Sequence, residues 1–327
     1  MKKIKRRICV VVTARPSYSR IKTALTAIQD HPELELLLVI AGSALLDRYG
    51  NAVDFIEKDG FKVTAKVFMV LEGENPTTMA KTTGIGVMEL TNVFYNLKPD
   101  AVVTIADRFE TIATSIAAAY QNIPLIHIQG GEVTGSIDEK VRHANTKLAD
   151  LHLVSSEDAK ERVIRLGENP EKVINTGCPS IDLAKQINSE TKLNFNPIDG
   201  TSNGIRAFRE IEKPENIHFF KNMEPLDFLR LIKYSKALVG NSSTGIRECA
   251  YLGIPVINIG SRQNRRLRAK NVFDVSCSSN EIILAIKKAI SNGFYSSSEI
   301  YGNGSAGEQI AEILATEKLE FSKTITY

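Results

Sequence analysis

Short apolar runs recur along the chain with almost no polar interruption, and stretches of helical periodicity stand between them. The runs lie at 8–12, 35–40, 62–67, 101–105, 124–128 and 151–154. A strand with one wet face alternates apolar and polar residues. A strand that is apolar throughout is covered on both faces, as in a parallel sheet between two layers of helices. Helical patterns at 20–27, 108–120, 139–149 and 157–166 supply those layers. A short strand at 172–175 runs into Thr176-Gly-Cys-Pro-Ser180, where Gly177 and Pro179 interrupt regular structure.

The pattern then starts again. Helical stretches at 181–187, 202–211 and 225–235 accompany strands at 217–220, 237–239, 255–259 and 272–275. Helices at 279–292 and near 305–320 close the chain. At 327 residues the chain exceeds what one core comfortably organises. The expected architecture is α/β, with two Rossmann-like domains facing a cleft (the GT-B arrangement). Residues 1–176 form the first domain and 177–304 the second. Residues 305–327 form a helix and tail that pack back on the first domain. The second domain is short, because an opening β-α-β unit takes ~30 residues and 188–200 is a polar stretch without a strand pattern. That unit is expected to be missing.

Composition excludes several classes. A net charge of +3, dispersed along the chain, does not mark a nucleic-acid binder. No run approaches the ~18–20 apolar residues of a membrane span, and the basic start, MKKIKRR, leads into a strand rather than a secretory leader. Cys9, Cys178, Cys249 and Cys277 are scattered, as expected of reduced thiols in a cytoplasmic protein. No zinc-type Cys/His spacing, GxxxxGK[ST], GxGxxG after a strand or GxSxG occurs. Neither a metal nor a cofactor is therefore expected.

The residues suited to chemistry follow strands, where α/β sheets place their sites. After 8–12 come Arg15, a permanently charged fork matched to phosphate, and Ser19 as a further donor. After 101–105 come Asp107, a helix cap or an acid/base group, and Arg108, which would keep it ionised. After 124–128 lies HIQGGEVTGSIDEKVRH (127–143), with Gln129, glycines that let a ligand approach, and three carboxylates: Glu132, Asp138 and Glu139. Crowded carboxylates push one another's pKa values apart, so that one acts as acid and another as base. Asp138 also reads as a helix cap. His143 stands one turn beyond Glu139, while His127 reads as a core residue. In the second domain GNSSTGIREC (240–249) is a small-residue turn opening a helix. Ser242, Ser243 and the amides around Gly245 suit a diphosphate, and Glu248 a ribose diol. Among the cations of GSRQNRRLRAK (260–270), Arg262 lies nearest the strand end and completes a diphosphate clamp.

Together these motifs resemble the UDP-N-acetylglucosamine 2-epimerase family, most closely its hydrolysing branch in sialic-acid and nonulosonic-acid synthesis. The resemblance rests on GGEVTGSIDEKVRHANTKL (130–148) and GNSSTGIRE with GIPVINIGSRQ (240–263). It implies catalysis without metal or NAD: UDP leaves by elimination across C1–C2 of a UDP-2-acetamido sugar, and water adds with inversion at C2. The sugar would be N-acetylglucosamine or a 2,4-diacetamido-6-deoxy relative. Position by position it assigns Arg15, Ser19, Ser242, Ser243, Glu248 and Arg262 to UDP. Asp107, Glu132, Asp138 and Glu139 would serve as acid/base groups and sugar contacts. Arg108, Gln129, His143 and Gly245 complete the expected site. Two departures stand out. Many relatives carry a carboxylate where Gln129 stands, and the family's His-Pro histidine has no counterpart here. The alternatives are a non-hydrolysing epimerase that keeps its nucleotide, or an inactive nucleotide-sugar-binding relative if the shortening near 188–200 is genuine. The partners expected are the UDP-sugar and a second copy of the chain, in a homodimer or homotetramer.

Overall fold

The computed structural model describes residues 4–46, 52–73, 75–106, 108–133, 137–188, 218, 220 and 223–326. Strand β1 (Arg6–Val12) shows why the apolar runs are unbroken. Ile8, Val10 and Val12 join a buried cluster with Tyr18, Ile21 and Leu25 of α1 (Arg15–Asp30). Cys9 and Val11 join a separate cluster on the opposite face. Both faces are dry, so neither tolerates a polar residue.

Seven parallel strands make this sheet: β1, β2 (Leu34–Ala41), β3 (Val63–Val67), β4 (Ala101–Ile105), β5 (Leu125–Ile128), β6 (Leu151–Val154) and β7 (Val173–Asn175). Their order is β3-β2-β1-β4-β5-β6-β7. The winding reverses between β1 and β4, and the carboxyl ends of those strands bound the crevice where such sheets hold ligands. The covering helices are α1, α2 (Ala52–Lys58), α3 (Pro76–Leu97), α4 (Thr111–Tyr120), α5 (Ile137–Leu148) and α6 (Glu157–Arg165). Helix α1 begins at Arg15 rather than near residue 20, because Pro16 presets the helical backbone at its first turn.

The second lobe contains α7 (Pro179–Asn188), α8 (Pro225–Lys233), β8 (Leu238–Gly240), α9 (Ser243–Ile246), α10 (Glu248–Leu252), β9 (Val256–Ile259), β10 (Val272–Val275) and α11 (Ser279–Asn292). Its described strands are parallel in the order β10-β9-β8. Pro179 opens α7 instead of breaking the chain, the usual use of proline at a first turn. Residues 189–200, the helix expected at 202–211, and Ile217 and Phe219 of the expected strand lie outside the described residues; His218 and Phe220 belong to no regular element.

Helix α12 (Ala306–Thr316) returns to the first lobe, contributing Ile310, Ala311 and Leu314 to the α1 side of its core. The approach is close enough that a Cβ on Gly307 would stand 2.7 Å from the backbone of Thr23. Asp182 of α7 pins the junction: its carboxylate accepts from the amides of Ala306 (2.9 Å) and Gly307 (2.7 Å) and from the Thr23 hydroxyl (2.9 Å). A carboxylate at a helix N-terminus meets both free donors and the positive end of the dipole. Among the described residues no helix is long and apolar enough to cross a membrane.

Candidate active site

The cleft between the lobes is divided into two adjoining chambers. The inner, about 580 Å³, is walled by Ala106, Gln129, Glu132, Asp138 and Arg142 from the first lobe and by Arg247, Ser261, Gln263 and Arg266 from the second. The outer, about 640 Å³, is walled by Arg15, Ser19 and Ser43 on one side and by Leu183, Phe228, Leu229, Ser242, Thr244 and Glu248 on the other. Pro16, Arg20, Arg108, Ser243 and Arg262 line both. Three arginines thus stand at the junction, each able to present planar, paired donors to phosphate oxygens.

In the outer chamber Arg15 is stacked on Phe55, with its guanidinium carbon 4.4 Å from the ring centre, and donates to the Met223 carbonyl at 3.3 Å. Ser19 bonds back to the Arg15 carbonyl at 3.4 Å. Ser242 caps α9 by accepting from the Thr244 amide at 3.3 Å, and Ser243 accepts from Arg20 across the cleft at 3.2 Å. Glu248 is buried, and its Oε2 meets no hydrogen-bond partner among the described residues. Leu183, Phe228 and Leu229 add an apolar wall, so one chamber offers both a flat apolar surface and polar groups.

The inner chamber is organised around Glu132. Its Oε1 accepts from the Ser155 hydroxyl at 2.7 Å. Its Oε2 forms an ion pair with Arg247 and lies 3.5 Å from Arg266. Arg142 donates to its backbone carbonyl at 2.6 Å, and Arg266 to the Val133 carbonyl at 2.9 Å. Burial alone would raise the Glu132 carboxyl. Arg247, Arg266 and Arg142 outweigh it and hold the carboxyl well below the usual carboxylate range. Burial meanwhile brings Arg266 down to about 10. The expectation that crowded carboxylates would tune Glu132 is therefore corrected: its neighbours are cations, and a carboxylate so held is a poor proton acceptor.

At the strand ends, Ala106 (φ 60°) and Gln129 (φ 65°) both take the left-handed backbone conformation, which costs an L side chain about 1–3 kcal/mol. Both line the inner chamber. His127 braces the first of them, its Nε2 lying 2.9 Å from the Ala106 carbonyl and its Nδ1 3.1 Å from the Thr146 hydroxyl. Burial brings His127 down to about 3, so the imidazole is neutral: a structural histidine with a bond at each nitrogen. The Gln129 amide donates to the Cys178 sulfur at 3.1 Å.

Several expected residues are placed otherwise. Glu139 and His143 pair with each other (3.3 Å), and Glu139 also pairs with Arg142 (3.0 Å); neither lines the chambers described here. Asp138 and Arg142, four apart, share the chamber-facing side of α5, and Glu139 and His143 are one position further round. The expected helix after β8 is two short helices broken at Arg247 (φ −101°, ψ −74°), which turns inward and is buried. Gly245 is packed close to β9: a Cβ there would stand 2.7 Å from the Val256 side chain, and its amide donates to the Ser242 carbonyl. Likewise Gly131 (φ 73°) makes room for the Ala159 carbonyl, 2.2 Å from where a Cβ would sit. Arg262 is exposed and reaches the Asn241 carbonyl only at 3.5 Å. Asp107 lies outside the described residues. Sequence reasoning passed over Arg20, Arg142, Arg247 and Arg266. For two of them there was a signal: Arg20 stands four residues after Pro16 on the same face of α1, and Arg142 four after Asp138 on α5.

Two Rossmann-like lobes closing on such a cleft define the GT-B class. The UDP-N-acetylglucosamine 2-epimerase family model matches residues 26–205 and 197–315, and the chain belongs to that family. The hydrolysing UDP-N,N'-diacetylbacillosamine 2-epimerase of Legionella pneumophila is 29% identical over 95% of this chain and 96% of its own. Polysialic acid biosynthesis protein P7 of Escherichia coli is 31% identical over 86% of this chain and 85% of its own. The Methanocaldococcus jannaschii UDP-GlcNAc 2-epimerase, solved in complex with UDP-GlcNAc and UDP, shares the fold with a TM-score of 0.78 at 17% identity, covering 95% of this chain and 100% of that one. The Legionella alignment runs over 362 positions, more than the 327 residues here, so that relative has residues without counterparts in this chain.

Proposed function

We infer that the protein is a hydrolysing 2-epimerase, converting a UDP-2-acetamido sugar to the free 2-epimer and UDP. The observation that carries this is the paired chamber with arginines at its junction. A nucleoside fits the outer space, a sugar ring the inner, and the diphosphate joining them falls between Arg20, Arg108 and Arg262. Relatives named as hydrolysing enzymes, aligned over nearly the whole chain, support the same reading.

In this mechanism the apolar wall of Leu183, Phe228 and Leu229 receives the base, and Glu248 the ribose. Charge that builds on the departing diphosphate is met by the junction arginines, already in place and partly shielded from water. The C2 proton is taken by an acidic residue of the inner chamber. Asp138 lines that chamber, and Asp107 is its partner by resemblance. Glu132 and Glu139, held in ion pairs, position arginines and backbone rather than carry protons. Water then adds to the glycal-like intermediate from the opposite face.

We further propose that the enzyme works in the cytoplasm as a homodimer or homotetramer, in a route to a sialic or other nonulosonic acid. The free cysteines fit a reducing compartment. The test offers UDP-N-acetylglucosamine and UDP-N,N'-diacetylbacillosamine separately and follows released UDP and free sugar. Stoichiometric release from either supports the reading. Epimerised UDP-sugar with its nucleotide retained makes the enzyme non-hydrolysing, and no turnover of either reduces it to a binding protein.

A further inference from the structure

The segment Gly130–Val133 precedes α5, the helix that carries Asp138, and its last two residues are held from both lobes. Arg247, at the break between α9 and α10, pairs with the Glu132 carboxylate. Arg266, from the loop after β9, reaches both that carboxylate and the Val133 carbonyl. The first lobe supplies the Ser155 hydroxyl and Arg142 from below. Arg247 is itself braced. Its guanidinium carbon lies 6.0 Å from the centre of the Tyr301 ring, and the Tyr301 hydroxyl is anchored on the Leu267 carbonyl at 2.9 Å. It is only 2% exposed, and its Nε and one terminal nitrogen meet no acceptor among the described residues. A guanidinium is not buried with donors unspent for stability alone, since a buried pair costs desolvation that hydrophobic packing would avoid.

We propose that Arg247, seconded by Arg266, is a positioning residue that clasps Glu132 across the cleft, so that Gly130–Val133, at the wall of the inner chamber, takes its working shape only when the lobes are together. This rests on reading the cleft as a UDP-sugar site. The clasp touches the inner chamber and not the outer, so it governs turnover rather than nucleotide affinity. Arg247 acts through Glu132 and is without function when Glu132 is missing.

The test compares Arg247→Gln, Glu132→Gln and the double variant, with Arg247→Lys retaining the charge. For the sugar nucleotide that the wild type turns over, each single Gln variant is expected to lower kcat by about 10- to 100-fold, the cost of a displacement of about 1 Å at a reacting group. The double variant should lose no more than the worse single, because one contact cannot be lost twice. Arg247→Lys should recover part of the rate, and the Kd for UDP alone should stay within about twofold throughout. Hydrogen exchange over residues 128–133 should accelerate in Arg247→Gln without substrate, which reads the clasp whatever the reaction. Multiplicative losses in the double variant, a parallel fall in UDP affinity, or unchanged exchange over 128–133 would overturn the proposal. Failure of the wild type to release UDP from either sugar nucleotide, with the exchange effect present, would instead overturn the functional reading and leave the clasp standing.

Discussion

Arg20 gives the sharpest test of the divided cleft. It projects from α1 in the first lobe, lines both chambers and donates to the Ser243 hydroxyl of the second lobe at 3.2 Å. If the diphosphate lies at the junction, Arg20→Ala removes a charged donor from it. A hydrogen bond to a charged group contributes about 1.5–3 kcal/mol, which corresponds to roughly 10- to 140-fold in Kd. The bond to Ser243 must be shared with or exchanged for the phosphate, which offsets about 0.5–1.5 kcal/mol and places the expected loss near tenfold. Arg20→Lys keeps the charge without the fork and should fall between. Titration calorimetry with UDP and with uridine separates the cases, because uridine brings no phosphate to the junction. Uridine affinity should be unchanged in Arg20→Ala. Equal losses for the two ligands, or a UDP change below about threefold, would refute the placement of the diphosphate.

Asp138→Asn should abolish sugar release while UDP binds as before; turnover within a few-fold of wild type in a UDP-release assay excludes it as the proton-transfer residue. Gly131→Ala puts a methyl against the Ala159 carbonyl in a left-handed backbone, at a cost of at least about 2 kcal/mol and a lower thermal midpoint. An unchanged midpoint would show that the turn has room. His127 binds a proton less readily folded, at about 3, than unfolded, near 6.5, so the unfolded state takes up protons first and stability falls as pH drops from 6.5. By pH 5 this one group should cost about 2 kcal/mol. In chemical denaturation His127→Gln should flatten that slope, and an equal slope in both proteins rules out His127 as its source.

The first lobe was legible because both faces of its central strands are dry. Where no polar residue is tolerated, strand runs such as 8–12 and 101–105 stand out, and every strand expected there is present. Helix α3, the longest among the described residues, did not stand out. It carries glycines, threonines and an exposed Met88 and Tyr95, which blur its apolar face. Its start was written in the sequence nonetheless. Asn75 caps it, Thr78 reciprocates, and Pro76 opens the first turn. Caps are local and therefore readable. The opposite holds at Pro179 and Arg247, where one residue type serves two opposed uses. Proline interrupts a helix or begins one, and an arginine on an expected helix face points outward or, where the helix breaks, inward.

The site was legible for whatever follows a strand and obscure for whatever crosses the cleft. Arg15, Ser19, Gln129, Asp138, Ser242, Ser243, Glu248 and Arg262 line the chambers because strand ends deliver them there. Charge pairing is a different matter. Reading 127–143 alone, three acids close in sequence look like mutual neighbours, and repulsion between them is the natural inference. In the fold the charges that pair with the Glu132 carboxylate are Arg247 and Arg266, 115 and 134 residues away along the chain. Their sign is opposite, so the expected shift reverses. No local pattern carries that information, because the partner's distance is set by how two lobes close and not by spacing. A carboxylate whose partners come from the far lobe takes its charge state from lobe closure, so Glu132 and the proton-transfer groups beside it share a chamber yet answer to different forces. Opening the lobes should relax Glu132 toward an ordinary carboxyl and release Gly130–Val133 from the far lobe's hold. On this view chemistry and closure are coupled through arginine pairing, and the coupling should weaken with rising salt far less than the junction's hold on UDP, since the clasp is buried and the junction is reached by solvent.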